Sequence, residues 1–571
     1  MQVHSVAGRG PTGDRAGQVQ AEQVEAGQVQ AGQVQAEQVQ AGQVQARQGG
    51  RGGQAVMTQA GADAGPAAEP GRLRRLARRS RMPLLAAGTG ALPVLVFPTV
   101  GWWWFAYVCL VPLMLVLRTA PTRRRAMVLG WWGGVGFLVG VMSWLIPTLN
   151  VAILVLAGLL GLFWAPWGWL VWRLLRGSPD AGRAAAAVVL IPCGWLAIET
   201  VRSWQYLGGP WGLLGASQYR QHPALVLASV GGVWLDSLFI VTVNTAVVVL
   251  IAAWGRSAVA YGTLLALGGC TVAALAWAPQ PRLTGRTATV AVVQPGGSVT
   301  LDDRTARGEE LTRTLIGTRP DLVVWGESSL GYDLADRPDL TAQLAALSAQ
   351  VGADLLVNVD AARPNGAIYK SSVLVDPKGL TGQRYDKIRL VPFGEYIPMR
   401  PALGWIASFS KAAAVDRRRG TTPVIMTVPE PGGGTLRIGP LVCFESAFPD
   451  MSRALVNMGA QLVVVQSSTS TFQGTAAPEQ HASLAAFRAA ETGRPVVQAT
   501  LTGVSTAYDP LGRQVGRALG TDDRGTFTYR MPLATGSTLY DRWGNWVPSG
   551  CCLLLVVAAG GWVLLERRNR N

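Results

Sequence analysis

A succession of apolar segments constrains this chain more than any other feature. About seven such segments run through residues 83–278, at 84–98, 101–117, 127–147, 151–172, 185–202, 229–253 and 259–277, and another follows at 548–565. A bilayer needs about 20 helical residues per crossing. A series of this kind predicts a polytopic membrane domain, with the short first two segments paired as a tilted hairpin. The Arg clusters at 72–81, 118–125, 173–183 and 256 alternate with the segments so that all fall on one side. Basic loops stay in the cytoplasm. The seventh segment is then expected to exit to the outside, and the last one returns to Glu566-Arg567-Arg568-Asn569-Arg570 on the inside.

Composition agrees with a membrane protein. The chain is 49% hydrophobic and 15% charged, leaner in charge than a soluble protein of this size. Its 21 Trp residues flank many of the apolar runs, where an amphipathic ring is best solvated. The net charge of +16 is concentrated in the loop clusters, which suits anionic lipid and gives no reason to expect nucleic acid.

Residues 1–81 are expected to be a disordered, low-complexity tail. Units such as AGQVQ and AEQVQ repeat over 16–48 without building an apolar face. Met57 and Met82 are alternative starts, and the Arg run before the first span reads better as an uncleaved anchor than as a signal peptide. The remaining boundaries are a transmembrane domain at 82–280, a catalytic domain at 281–545, and a closing helix with a basic tail at 546–571.

Within 281–545 the pattern changes. Short apolar runs such as TVAVV (289–293), DLVVW (321–325), ADLLVNV (353–359), SVLVD (372–376) and QLVVVQ (461–466) alternate with helical patterns near 303–316, 340–351 and 478–492. Alternation of this kind predicts an α/β domain with its sheet covered by helices.

Three polar residues sit where distant strands end. Glu327 follows VVWG, Cys443 follows GPLV, and Lys387 lies in a loop after the strand near 372–376. Strand ends in α/β domains converge on one crevice. A carboxylate takes a thiol proton, a thiolate attacks an acyl carbonyl, and an ammonium with a backbone N–H stabilises the oxyanion, each donor contributing about 2.7–4 kcal/mol. Taken singly, each residue has a plainer reading: a solvated loop Glu, an isolated Lys, a packed Cys. Cys443 is the one cysteine of six lying well inside the soluble-looking region. With three His and no CxxC, a zinc site has no raw material. No P-loop, GxGxxG or GxSxG elbow occurs either.

The segments WGES (325–328), YDKIRLVPFGEYIP (385–398) and CFES (443–446) resemble the Glu, Lys and Cys motifs of the nitrilase, or carbon–nitrogen hydrolase, superfamily. With the preceding spans and one closing span, the chain over about 84–566 is similar to the apolipoprotein N-acyltransferase family. GGPWGLLGASQ (208–218), AVVQPG (291–296), QHASLAAFRAAETGRPVV (480–497) and GVSTAYDPLG (503–512) add to the likeness. The resemblance implies an α-β-β-α sandwich beside the helical membrane domain. It implies that Cys443 takes an acyl chain from a phospholipid as a thioester. The chain then passes to the N-terminal amine of a lipoprotein's diacylglyceryl-cysteine. Glu327 would be the general base, Lys387 the oxyanion stabiliser, Phe444 a second oxyanion donor through its N–H, and Glu395 and Glu445 supporting acids. No cofactor or metal is implied, because the ester already carries an activated acyl group. The expected setting is a multi-pass monomer of the plasma (inner) membrane with an extracytoplasmic catalytic domain.

The chain departs from the family pattern in places. Gly326 stands where Pro often precedes the Glu, and is expected to loosen that turn. QSSTSTFQG (466–474) replaces a Ser-Asn-Asp, Trp-Phe stretch, and Gln498 replaces an Arg. Residues 402–415, with Trp405, Ile406 and Phe409, read equally as a membrane-dipping lid or a packed surface helix. Substrate-binding residues are not assigned. The rival reading from the same triad is a membrane-tethered hydrolase with water as acceptor; a non-catalytic lipid-binding or transport protein is a more distant one. Glu199 and Arg202 have the i,i+3 spacing of a pair.

Overall fold

The computed structural model describes residues 70–252, 258–297, 300–363, 366–405, 415–430 and 433–568. The chain divides into two units, Met1–Arg72 and Leu73–Asn571, and the second carries the architecture below. The repeats at 16–48 and Arg256 lie outside the described residues. So do Ile406, Phe409 and most of the expected lid. The first helix, Pro70–Ala91, begins inside the stretch expected to be disordered.

Among the described residues, four helices are individually long and apolar enough to cross a membrane: Ala181–Arg202, Val233–Ala252, Ala258–Trp277 and the start of Trp546–Arg568. Two more spans result if each bent pair is counted once. Arg123–Val141 bends by 65° into Ser143–Leu149, and Ala152–Gly161 by 47° into Trp164–Leu175. Pro147 and Pro166 lie just beyond these bends, where a missing N–H leaves carbonyls of the preceding turn without a helical donor. The first two expected spans are broken into short helices, Leu92–Val96 after the first helix, then Trp103–Tyr107 and Val111–Arg118. Backbone freed by such a break needs another partner in a membrane. Asn244 supplies it, accepting from Leu110 N at 2.9 Å and donating to Ala106 O at 2.8 Å. The segment read as 229–253 is two helices, His222–Gly231 and Val233–Ala252, parted at Gly232.

Ala258–Trp277 and Trp546–Arg568 turn most of their surface outward, with Leu265, Val272, Trp277, Leu553 and Val556 exposed. Apolar surface of that extent on a helix of spanning length is solvated by lipid. Glu199 and Arg202 form no ion pair. Glu199 accepts from Trp195 Nε1 and Leu214 N, both at 2.9 Å. Arg202 donates to the carbonyls of Trp211 and Gly212. Each residue secures the 208–218 loop, whose buried backbone would otherwise lack partners.

The remaining chain forms two sheets. Their strands are β1 (Arg282–Gln294), β2 (Leu322–Trp325), β3 (Asp354–Ala362), β4 (Ile368–Asp376), β5 (Gly379–Asp386), β6 (Met426–Glu430), β7 (Gly434–Val442), β8 (Leu462–Ser467), β9 (Val496–Thr500), β10 (Thr506–Tyr508) and β11 (Gly525–Thr535). One sheet has the order β11-β1-β2-β3-β4-β5 and the other β10-β9-β8-β7-β6. Side chains alternate between faces along a strand. In β1, Val290 and Val292 join Leu436, Ile438, Leu462 and Val464 between the sheets. Ala291 and Val293 face outward onto Leu340 and Leu344 of helix Pro338–Val351. On the far side, Val463 and Val465 of β8 pack with Leu484 and Phe487 of helix Ala477–Thr492. This is an α-β-β-α sandwich. That last core runs without a break into the membrane helices.

Candidate active site

Glu327, Lys387 and Cys443 come together at one end of the sandwich, where strands of both sheets stop. β2 is wholly buried and is followed directly by Gly326 and Glu327. The Glu327 amide donates to Ser467 O, the last residue of β8, at 3.1 Å. Gly326 does not loosen this turn. A Cβ there would lie 1.9 Å from Leu501 N and 2.4 Å from Thr500 C, so glycine is what lets the two backbones close on each other. Glu327 itself is 2% exposed.

Lys387 directly follows β5, a strand that the apolar pattern misses because only Leu380 and Tyr385 in it are large and apolar. Its amide donates to Lys370 O at 2.9 Å. Its fully buried ammonium donates to Glu327 Oε1 at 3.0 Å and Glu395 Oε1 at 2.7 Å. Glu395 Oε2 takes Val391 N at 2.8 Å, which fixes the loop carrying that carboxylate. Glu445 does not touch the ammonium. Its Oε1 accepts from Tyr385 Oη at 2.8 Å and from the amides of Ile388 and Arg389 at 2.7 and 3.0 Å, and its Oε2 accepts from Val442 N at 2.8 Å. One buried carboxylate thus clamps the Lys387 loop onto the strand that ends at Cys443.

Cys443 follows β7 with φ +50. This left-handed conformation is unusual for a residue other than glycine and turns the backbone out of the strand at the nucleophile. Sγ lies 3.9 Å from Ser468 O. Phe444 is the second residue of the 3-10 helix Cys443–Ala447. Amides in an opening turn lack a carbonyl acceptor within their own helix, and the Phe444 N–H is one of these. Beneath the nucleophile lies His481, with Nε2 3.0 Å from both Cys443 O and Ser446 Oγ. A carbonyl only accepts, which puts the ring proton on Nε2. Burial lowers the imidazole pKa and favours the neutral form.

Two groups absent from the motif reading complete the site. Lys370, on β4, places its ammonium 3.0 Å from Glu327 Oε1, 3.1 Å from Ser328 Oγ, 3.3 Å from Glu395 Oε1 and 3.6 Å from Asp360 Oδ2. Arg417 reaches Asp360 at 3.3 Å. Nothing around IYKSS marks this lysine in the sequence; only the pairing of β4 with β3, which sets Lys370 against Asp360, brings it inward. Burial alone would raise Glu327, but Lys370 and Lys387 outweigh it and hold the carboxyl at about 2. Burial and then Glu327 push the Cys443 thiol up to about 11, against the pull of Lys387. Cys443 as a residue is only partly buried, although its surroundings are dense enough to disfavour the thiolate.

The site also abuts the membrane helices. Phe444 and Phe448 pack on Gly209, where a Cβ would meet Phe444 Cζ at 2.6 Å. Trp211 stacks on His481 at 5.9 Å and donates to Gln480 Oε1 at 2.8 Å. Phe472, in the divergent 466–474 stretch, meets Trp144 edge-on at 5.0 Å. In that stretch Gln466 donates to Trp325 O and Leu356 O, which ties the two sheets together. Gln498 donates to Val504 O at 3.0 Å.

Known proteins share this organisation. The family model described as apolipoprotein N-acyltransferase N-terminal domain matches residues 89–246, and that of carbon-nitrogen hydrolase matches 289–539. The chain is similar to proteins named apolipoprotein N-acyltransferase from several bacteria. That of Azotobacter vinelandii is 31% identical over 85% of this chain and 95% of its own length. That of Pseudomonas aeruginosa is 30% identical over 85% and 96%, and that of Geobacter metallireducens 29% over 84% and 97%. Among solved structures, an amidase of the nitrilase superfamily from Nesterenkonia AN1 matches at 19% identity, covering 45% of this chain and 93% of that one with TM-score 0.31. Saccharomyces cerevisiae Nit3 matches at 17%, covering 44% and 93%, with TM-score 0.33.

Proposed function

The chain belongs to the apolipoprotein N-acyltransferase family, and from that premise we propose how its residues acylate lipoproteins. The enzyme is an N-acyltransferase with a carbon–nitrogen hydrolase domain. The observation that carries the mechanism is the convergence of Cys443, Glu327 and Lys387 beside the core shared with the membrane helices.

The donor is a membrane phospholipid. Glu327 takes the Cys443 proton as sulfur attacks the ester carbonyl. A carboxyl held low by two ammonium groups and a thiol pushed up by burial and by Glu327 together disfavour a resting thiolate. Proton transfer therefore accompanies formation of the S–C bond. The oxyanion is met by the Lys387 ammonium and the Phe444 N–H. Collapse expels the lysophospholipid alkoxide, which recovers the proton from Glu327 and leaves a thioester. In the second half the neutral α-amine of diacylglyceryl-cysteine attacks, Glu327 takes its proton, and the C–S bond breaks as Glu327 returns that proton to the Cys443 sulfur, leaving the amide and the free thiol. Glu395 holds the Lys387 ammonium, and Glu445 holds the loop that carries it.

The catalytic domain is placed outside the cytoplasm of the plasma membrane. In support, Arg118 donates to Leu175 O and Gly177 O, so the first two basic loops share one side. Arg123 covers Trp169, which packs on Trp562 near the C-terminal end of the last helix. The other end of that helix, Trp546, follows directly on the catalytic domain, where Tyr540 Oη donates to Asn545 Oδ1. Sixteen helical residues separate the two ends, about 24 Å.

The test is transfer in vesicles holding the enzyme, a phospholipid with a radiolabelled acyl chain and a diacylated lipopeptide. Label is expected in an amide-linked triacyl product. Label released only as free fatty acid would assign the site to hydrolysis. Protease added outside right-side-out vesicles should remove the catalytic domain; full protection would reverse the orientation.

A further inference from the structure

We propose that Lys370 is a positioning residue that keeps the general base ionised and turned toward the nucleophile; this rests on the roles given above to Glu327 and Cys443. Glu327 Oε1 receives both ammonium groups, Lys370 and Lys387, each at 3.0 Å. Oε2 accepts no hydrogen bond from the described residues, which leaves it as the oxygen free to take a proton. Lys387 alone could not fix this arrangement, because it is shared with Glu395 at 2.7 Å. Lys370 joins the same two carboxylates from the opposite strand, and its carbonyl holds the Lys387 amide at 2.9 Å.

Charge balance shows what Lys370 adds. Facing Glu327 are Lys370 on β4, Lys387 after β5, Glu395 and Arg417 in the following loops, Asp360 on β3, Cys443 after β7 and His481 on helix Ala477–Thr492. Arg304 adds a more distant positive charge beside Asp360. With His481 neutral and Cys443 protonated, three carboxylates face three close cations. Removing Lys370 leaves three carboxylates for two cations in a buried space, and the excess negative charge raises the proton affinity of Glu327. Protonated Glu327 cannot act as base. Loss of Lys370 is thus expected to cost activity selectively at low pH.

The experiment compares wild type with Lys370→Met and Lys370→Gln, full length in vesicles, by the pH dependence of the first acyl transfer from a fluorescent phospholipid. Gln keeps a donor for Glu327 Oε1 and Ser328 Oγ, so it preserves packing if Met does not. Wild type should be flat from about pH 7.5 to about pH 5, above the ordinary Glu value of about 4.3. Each folded variant should fall at least tenfold over the same range, with Lys370→Arg restoring the flat profile. A rate lowered equally at every pH, or a profile that stays flat, overturns the proposal. Failure of the triad itself reads differently: Cys443→Ala would then still form acyl-enzyme.

Discussion

The amide of Glu327 donates to the carbonyl of Ser467 across 3.1 Å, and this bond ties the end of β2 in one sheet to the end of β8 in the other. The base is therefore held by the seam of the sandwich, and β7, which the nucleophile directly follows, pairs with β8 beside that seam.

The close approach depends on Gly326. Gly326→Ala would set a methyl 1.9 Å from Leu501 N, a backbone collision with no side chain to yield. The variant is expected to lose about 3 kcal/mol or more, seen as a lowered thermal midpoint in detergent. A midpoint within one degree of wild type would show that the seam is looser than described.

Glu445 supports a second prediction. Its two oxygens accept four donors, and an amide in its place turns one acceptor into a donor. Glu445→Gln should cost about 2 kcal/mol of stability and, by shifting the Lys387 loop, slow acyl transfer about tenfold to a hundredfold. Single-turnover rates against thermal midpoints separate the two effects; an unchanged rate would remove Glu445 from the support of Lys387.

Thiol titration supplies a third. Cys443 is raised to about 11, by burial first and then by Glu327. Because the thiolate is the reactive form, alkylation of the resting enzyme by iodoacetamide should climb steadily from pH 7 to 10. Glu327→Gln removes the negative charge and lowers the thiol pKa, so alkylation at pH 9 should quicken while acyl transfer is lost. A plateau near neutrality in wild type would mean a preformed thiolate and a different first step.

Much of this site is legible in the sequence. Glu327, Lys387 and Cys443 stand in recognisable motifs, and β2 and β7 are apolar runs that end at them. Other parts were hidden because they depend on distant chain segments. β5 carries too few apolar residues to show a strand. Lys370 has no motif, and its role comes from strand pairing. Gly326 looked like a loosened turn because the backbone at Thr500 and Leu501 that crowds it lies far away in sequence. Glu199 and Arg202 have pair spacing, but each serves the loop at 208–218 instead. Continuous apolar spans gave no sign of the bends beside Pro147 and Pro166, since hydropathy does not register a missing N–H.

A covalent intermediate at Cys443 is the step on which acyl transfer depends. Membranes holding wild type or Cys443→Ala, incubated with radiolabelled phospholipid and no acceptor, should differ completely. Wild type is predicted to carry label that hydroxylamine removes, as a thioester requires, and Cys443→Ala to carry none. Equal labelling of the two proteins would contradict the mechanism.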